Sequence, residues 1–149
     1  MRSHRHEEIL PASPADVFRL LHTPSAIRDW WGATQVIVHP ERGGTWCAAW
    51  GADEDNPDYI SAATIETFEP AVRMRLSSYS YHTKTEALPF EADFSVDFRL
   101  SPHPDGTVLS VTQAGFPDTA DADSFLKDCK KGWADTFANI RRHLVAQPV

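Results

Sequence analysis

Acid–base, nucleophilic or metal chemistry in this sequence would fall first to its seven histidines, two cysteines and three tyrosines. His4 and His6 stand two residues apart, so in an extended segment they point to the same side, and His39, His82 and His103 are the residues that would have to join them around a metal. Their spacing matches no ligand pattern for zinc or another transition metal. His4 and His6 also lie near a chain end, and the other three fall in turns or at strand ends, so no metal site is expected. Cys47 and Cys129 are far apart, with neither C-x-x-C metal nor redox spacing, and read as free thiols in a reducing compartment. No G-x-S-x-G elbow is present, and nothing places a base beside either thiol, so no catalytic residue is assigned. Cys129 falls on an apolar helical stripe, as a small core residue does. Gly43-Gly44 lacks the further glycines and the lysine of a phosphate loop and precedes a strand, which makes it a turn. No cofactor is expected.

The aromatic residues are richer in meaning. Trp30, Trp31, Trp46, Trp50 and Trp133 can stack on a flat or aliphatic ligand, or simply fill a core. An indole is rarely buried whole without a partner for its N–H, so some of the five should border a polar pocket or the surface. Gln113 is the one polar side chain on the inward face of its strand. A buried amide left without a partner costs about 1–3 kcal/mol. Its partner is either a ligand or water, or else the hydroxyl of Ser78, Ser80 or a tyrosine, and both readings stay open at this level.

These residues need elements to hold them. Residues 4–10 read as a first strand, ended by Pro11. Ser13-Pro14-Ala15-Asp16 carries a helix N-cap, a first-turn proline and an acidic third position, and Thr23-Pro24 repeats the signal, predicting two short helices that end near Trp30, Trp31 and Gly32. From Thr34 the pattern becomes alternating. Turn residues at 40–44, 52–58, 69–70 and 102–106 divide it into strands over 34–38, 45–51, 59–68, 72–80, 92–101 and 107–116, with a loop over 81–91. Val72, Met74, Leu76, then Phe94, Val96, Phe98, Leu100, then Leu109, Val111, Gln113 form the expected inward sets. Phe125, Leu126, Cys129, Trp133, Phe137, Ile140 and Leu144 recur every three or four residues and predict one long final helix. Asp118, Asp121 and Asp123 crowd its start and Arg141, Arg142 and His143 its end, as the helix dipole favours.

The expected fold is α+β: a curved antiparallel sheet of about seven strands wrapped around a long C-terminal helix, with two short helices after the first strand. Seven strands at about 4.8 Å spacing make a sheet nearly three times as wide as a helix of about 10 Å, so one helix cannot cover it flat. The sheet must curl, and the wedge where it leaves the helix is the candidate ligand cavity. Trp31, Trp46, Trp50, Met74, Phe98, Gln113, Trp133 and Phe137 are its expected lining.

The chain has 149 residues, 42% hydrophobic and 23% charged, the composition of one globular domain over residues 1–149. Its formal charge is -7, with 21 acidic against 14 basic residues and no dense basic block, which argues against a nucleic-acid partner. Residues 1–8 are polar, without a signal-peptide core, and no run reaches membrane-spanning length, so a cytoplasmic protein without membrane insertion is the expectation.

The order strand, two short helices, meander, long helix resembles the START-like superfamily of polyketide cyclases, lipid-transfer and steroid-binding domains. Ser13-Pro14-x-x-Val17-Phe18, Trp30-Trp31-Gly32, Gly43-Gly44-Thr45-Trp46, Phe68-Glu69-Pro70, Asp105-Gly106-Thr107 and Gly132-Trp133 resemble, across nearly the whole chain, the homologues of the activator of the heat-shock protein 90 ATPase. The resemblance implies a helix-grip fold and a domain that binds a small hydrophobic molecule. It also admits a cyclase- or aromatase-type enzyme, with Tyr79, Tyr81 or His82 moving protons. A third implication is a co-chaperone-like interaction domain, with a chaperone or a second copy of the chain as partner through the acidic exterior or the loop 52–58.

Overall fold

The alternating pattern becomes a seven-stranded antiparallel sheet in the order β1-β7-β6-β5-β4-β3-β2. The structure, a computed structural model, describes residues 1–146. The elements are β1 (Arg2–Leu10), α1 (Pro14–His22), α2 (Pro24–Trp31), β2 (Gln35–Val38), β3 (Thr45–Trp50), β4 (Tyr59–Glu69), β5 (Arg73–Thr83), β6 (Phe94–His103), β7 (Gly106–Phe116), a 3-10 turn (Ala120–Ala122) and α3 (Asp123–Ala146). The sheet curls around α3 in the expected helix-grip arrangement.

Local chemistry sets the two short helices. Ser13 Oγ accepts from the Asp16 backbone N–H at 3.2 Å, and Gly32, at φ 72°, ends α2 with its N–H on the Arg28 carbonyl. Carbonyls left open at the end of α1 take two indoles: Trp30 Nε1 donates to Leu20 O (3.0 Å) and Trp46 Nε1 to Leu21 O (3.2 Å). The aromatic side chains thereby fix where α1 and α2 lie against the sheet.

Two expectations fail on β5. Val72 is outside the inward set, 54% exposed, because the turn after β4 places Ala71 at φ 66° and returns the Val72 N–H to Glu69 O. Beyond Leu76 the side-chain parity changes. Ser77 pairs with Thr64 and Ser80 with Ala62, so three steps on β5 oppose two on β4; Leu76–Val96 and Tyr79–Phe94 show the same extra residue against β6. This bulge, with Ser78 at φ 49°, turns Ser78 outward and Tyr79 inward. The strand also runs on to Thr83, into the expected loop, while β6 begins only at Phe94. Another bulge sits at Gly115 (φ 102°), where a Cβ would fall 2.3 Å from Asp93 O; it brings Phe116 back to the inner face, fully buried.

The helix α3 is moored along β1 at both ends. Arg2 reaches Asp123 (2.5 Å) and the Pro117 carbonyl, and Arg141 reaches Glu8 (2.9 Å) and the Ile9 carbonyl. His143 pairs with Asp29 and ties the same helix to α2. Phe137 and Ile140 are completely buried, whereas Phe125 and Cys129, earlier on the same stripe, are only half-buried. The helix therefore seats its C-terminal half and stands away from β3–β6 over its N-terminal half.

Candidate functional site

The space under the N-terminal half of α3 is a cavity of about 410 Å³. Its walls come from every layer of the fold. Trp31 closes it from α2; Trp50, Tyr59 and Ser61 come from β3 and β4; Tyr79, Tyr81, Phe94 and Gln113 from β5, β6 and β7; and Phe125, Asp128, Cys129, Gly132, Trp133 and Thr136 from α3. Tyr59, Asp128 and Gly132 are exposed and mark the mouth, while Ser61, Tyr79, Gln113 and Thr136 are buried and mark the floor.

Aromatic faces make two groups within it. Trp31 packs edge-on to Trp50 (ring centroids 5.0 Å) and nearly parallel to Trp133 (6.0 Å). At the other end Tyr59 stacks on Tyr81 (5.9 Å), and Tyr81 and Phe94 both lean on Phe125. Trp50 Nε1 donates to the Trp31 carbonyl at 3.1 Å, which locks β3 to the end of α2.

On the floor Gln113 Oε1 receives Trp133 Nε1–H at 2.9 Å and lies 2.9 Å from His4 Nε2. An indole can only donate, so the atom facing it is the amide oxygen, and His4 must carry its proton on Nε2. Burial, with Lys130 and His6 nearby, holds the His4 pKa below its ordinary value despite that bond, which keeps the ring neutral. Desolvation raises the Cys129 thiol to about 12, helped by Asp128 and opposed by a hydrogen bond with Gln113. Desolvation also raises Tyr81 to about 12, and raises Tyr79 despite its hydrogen bond with Ser61. At neutral pH the interior of the cavity therefore holds neutral hydrogen-bonding groups in an aromatic shell.

Of the eight residues expected to line the cavity, Trp31, Trp50, Gln113 and Trp133 stand in its wall. Trp46, Met74, Phe98 and Phe137 do not: each is at most 2% exposed and packs in the core behind that wall. Sequence alternation marks a face as inward but says nothing of which part of it is covered: Trp46 is tied to α1 through the Leu21 carbonyl and packs on Trp31, Met74 and Phe98 are buried in the core, and Phe137 belongs to the seated half of α3 itself. Gln113 bonds to His4 and Trp133, not to Ser78, Ser80 or a tyrosine, because the β5 bulge and the closeness of β1 rearranged its neighbours. Cys129 borders the cavity instead of the core, and Cys47 is half-buried on β3; both are free thiols. His6 pairs with Glu8, while His39, His82 and His103 lie on separate strand ends and turns. Tyr59, Ser61, Phe94, Phe125 and Thr136 were missed as lining. Phe125 could have been found, since it shares the stripe of Cys129 at one helical turn; Tyr79 and Tyr81 could not be placed inside without knowing of the bulge.

Similarity to known proteins agrees with this architecture. No curated protein matches the sequence. A Mesorhizobium loti protein of known crystal structure superposes with a TM-score of 0.81 at 20% identity, covering 99% of this chain and 100% of that one. An Aha1 dimer from Colwellia psychrerythraea gives 0.71 at 16%, covering 95% and 94%, and a protein in the dynemicin biosynthetic locus gives 0.77 at 17%, covering 97% of this chain and 47% of that one. Such identities speak for the fold alone. The family model described as Activator of Hsp90 ATPase homolog 1-like protein matches residues 11–145, so this chain belongs to that family, with the helix-grip fold of the START-like superfamily.

Proposed function

We propose that this protein binds a small hydrophobic molecule in the cavity beneath α3. The observation that carries this reading is an open-mouthed space of about 410 Å³ lined mostly by aromatic side chains, with a few neutral polar groups on its floor. Ligand cavities of about 300–1,000 Å³ have this make-up, and aromatic walls supply large contact area for flat or aliphatic guests. The inventory favours binding over proton transfer. Cys129, Tyr79 and Tyr81 keep their protons at neutral pH, and the carboxylate among the lining residues, Asp128, sits exposed at the mouth.

The test is a titration with the neutral probe N-phenyl-1-naphthylamine, followed by probe emission and by quenching of tryptophan. Saturable 1:1 binding to the wild type, weakened at least about tenfold by Gly132→Phe, is the expected result. A Cβ added at Gly132 would meet nothing within 4 Å, so the new ring can enter the mouth without disturbing the core. Unsaturable binding, or binding untouched by Gly132→Phe, would remove the cavity as the site.

A further inference from the structure

We propose that Gln113 determines the specificity of this cavity, presenting its amide N–H groups to the interior and so selecting aromatic ligands that carry a carbonyl-type hydrogen-bond acceptor. The inference rests on the cavity being a ligand site and names the class of ligand.

The carboxamide has one orientation only. Its oxygen accepts from Trp133 Nε1–H at 2.9 Å and from His4 Nε2–H at 2.9 Å, which uses both lone-pair directions. Turning the amide over would set its N–H₂ against the indole N–H, donor against donor, and the indole has no acceptor to offer instead. His4 is held in turn by the β1–β7 ladder, where it pairs with Gln113 itself, and Trp133 by its edge contact with Phe98 at 5.7 Å. The oxygen is thus fixed toward β1 and α3, and the nitrogen is left on the cavity side, beside Cys129. A thiol is a weak acceptor, so this donor is under-used by the protein.

The surroundings fit a flat guest. Trp133 brings its indole to the same spot and lies nearly parallel to Trp31 across the wall. A planar ring lying along those faces would bring a substituent down to the floor, where Gln113 is 6% exposed. An acceptor there gains an N–H···O bond; a purely hydrocarbon ligand leaves the amide nitrogen to the thiol.

Fluorene and fluorenone test this, being flat tricyclic molecules of nearly equal size that differ by one carbonyl. Affinities are measured for the wild type, Gln113→Met, and Gln113→Glu at pH 9. The Met variant removes the donor; the Glu variant keeps an acceptor for Trp133 and His4 but turns carboxylate lone pairs inward. Both should weaken fluorenone by about tenfold and change fluorene by no more than about twofold. The infrared carbonyl stretch of fluorenone bound to the wild type should fall below its value in hexane, a reading that needs no variant to fold. A stretch at the hexane position overturns the proposal, as does a fluorenone affinity that survives both Gln113 substitutions. If fluorene binds and the carbonyl makes no difference, the cavity remains a ligand site and only the role of Gln113 falls; if neither compound nor the naphthylamine probe binds, both readings fall.

Discussion

A single neutral histidine on the edge strand sets the polarity of the cavity floor. His4 is 8% exposed, and that burial makes its folded form resist a second proton even though its Nε2–H bond to Gln113 favours one. Unfolded histidine titrates near about 6.5. Its folded pKa is lower, so the stability it contributes is fully present above that pH and is lost as the pH falls through the folded value, where the unfolded chain takes up a proton the native state refuses. His22, whose pKa is lowered chiefly by burial, acts in the same direction. Urea unfolding between pH 8 and 5 should show stability falling below about pH 6.5, with a shallower fall in His4→Gln, which can still donate to Gln113. The Cys129 thiol, raised to about 12, should react with iodoacetamide at a rate still climbing at pH 9, and more slowly when a probe fills the cavity.

At the scale of elements, one inserted residue and one glycine shape the site. The β5 bulge costs little at Ser78, but a β-branched residue at φ 49° is strained, so Ser78→Val should lower stability by about 1–3 kcal/mol in chemical denaturation. It should also disturb Tyr79 and Tyr81, which near-UV circular dichroism would report. On α3, Gly132 faces open space, and Gly132→Ala should raise stability by up to about 1 kcal/mol because alanine is the better helix former. These two positions also show where sequence reading stops. The caps at Ser13 and Gly32 and the stripe of α3 are local, so their residue types announced them. A bulge depends on how three strands meet, and the Ser77-Ser78 pair carries no mark of it.

For the whole molecule, the mooring of α3 on β1 decides which part of the inner sheet is core and which is cavity. Arg2 and Arg141 hold the helix to one side of the curl, so the broad remainder, β3 to β6, is covered only where α1, α2 and the long aromatic side chains of α3 reach it. Removing core residues should therefore differ from removing wall residues. Phe98→Ala should cost about 3–5 kcal/mol, whereas Trp50→Ala, at a half-buried wall position, should cost less and weaken the naphthylamine probe more; thermal melts with and without probe separate the two effects. By itself the sequence determined the order and type of the elements, the curl of the sheet, the two capped helices and four of the wall residues, because alternation, caps and helical spacing are written between near neighbours. It also marked Gln113 as a buried amide in need of a partner. Only the tertiary structure decided that the partners are His4 and Trp133, that two tyrosines face inward, and that Trp46, Met74, Phe98 and Phe137 are core. Those outcomes depend on residues brought together from β1, β7 and α3, and on the tilt of one helix across a surface too wide for it.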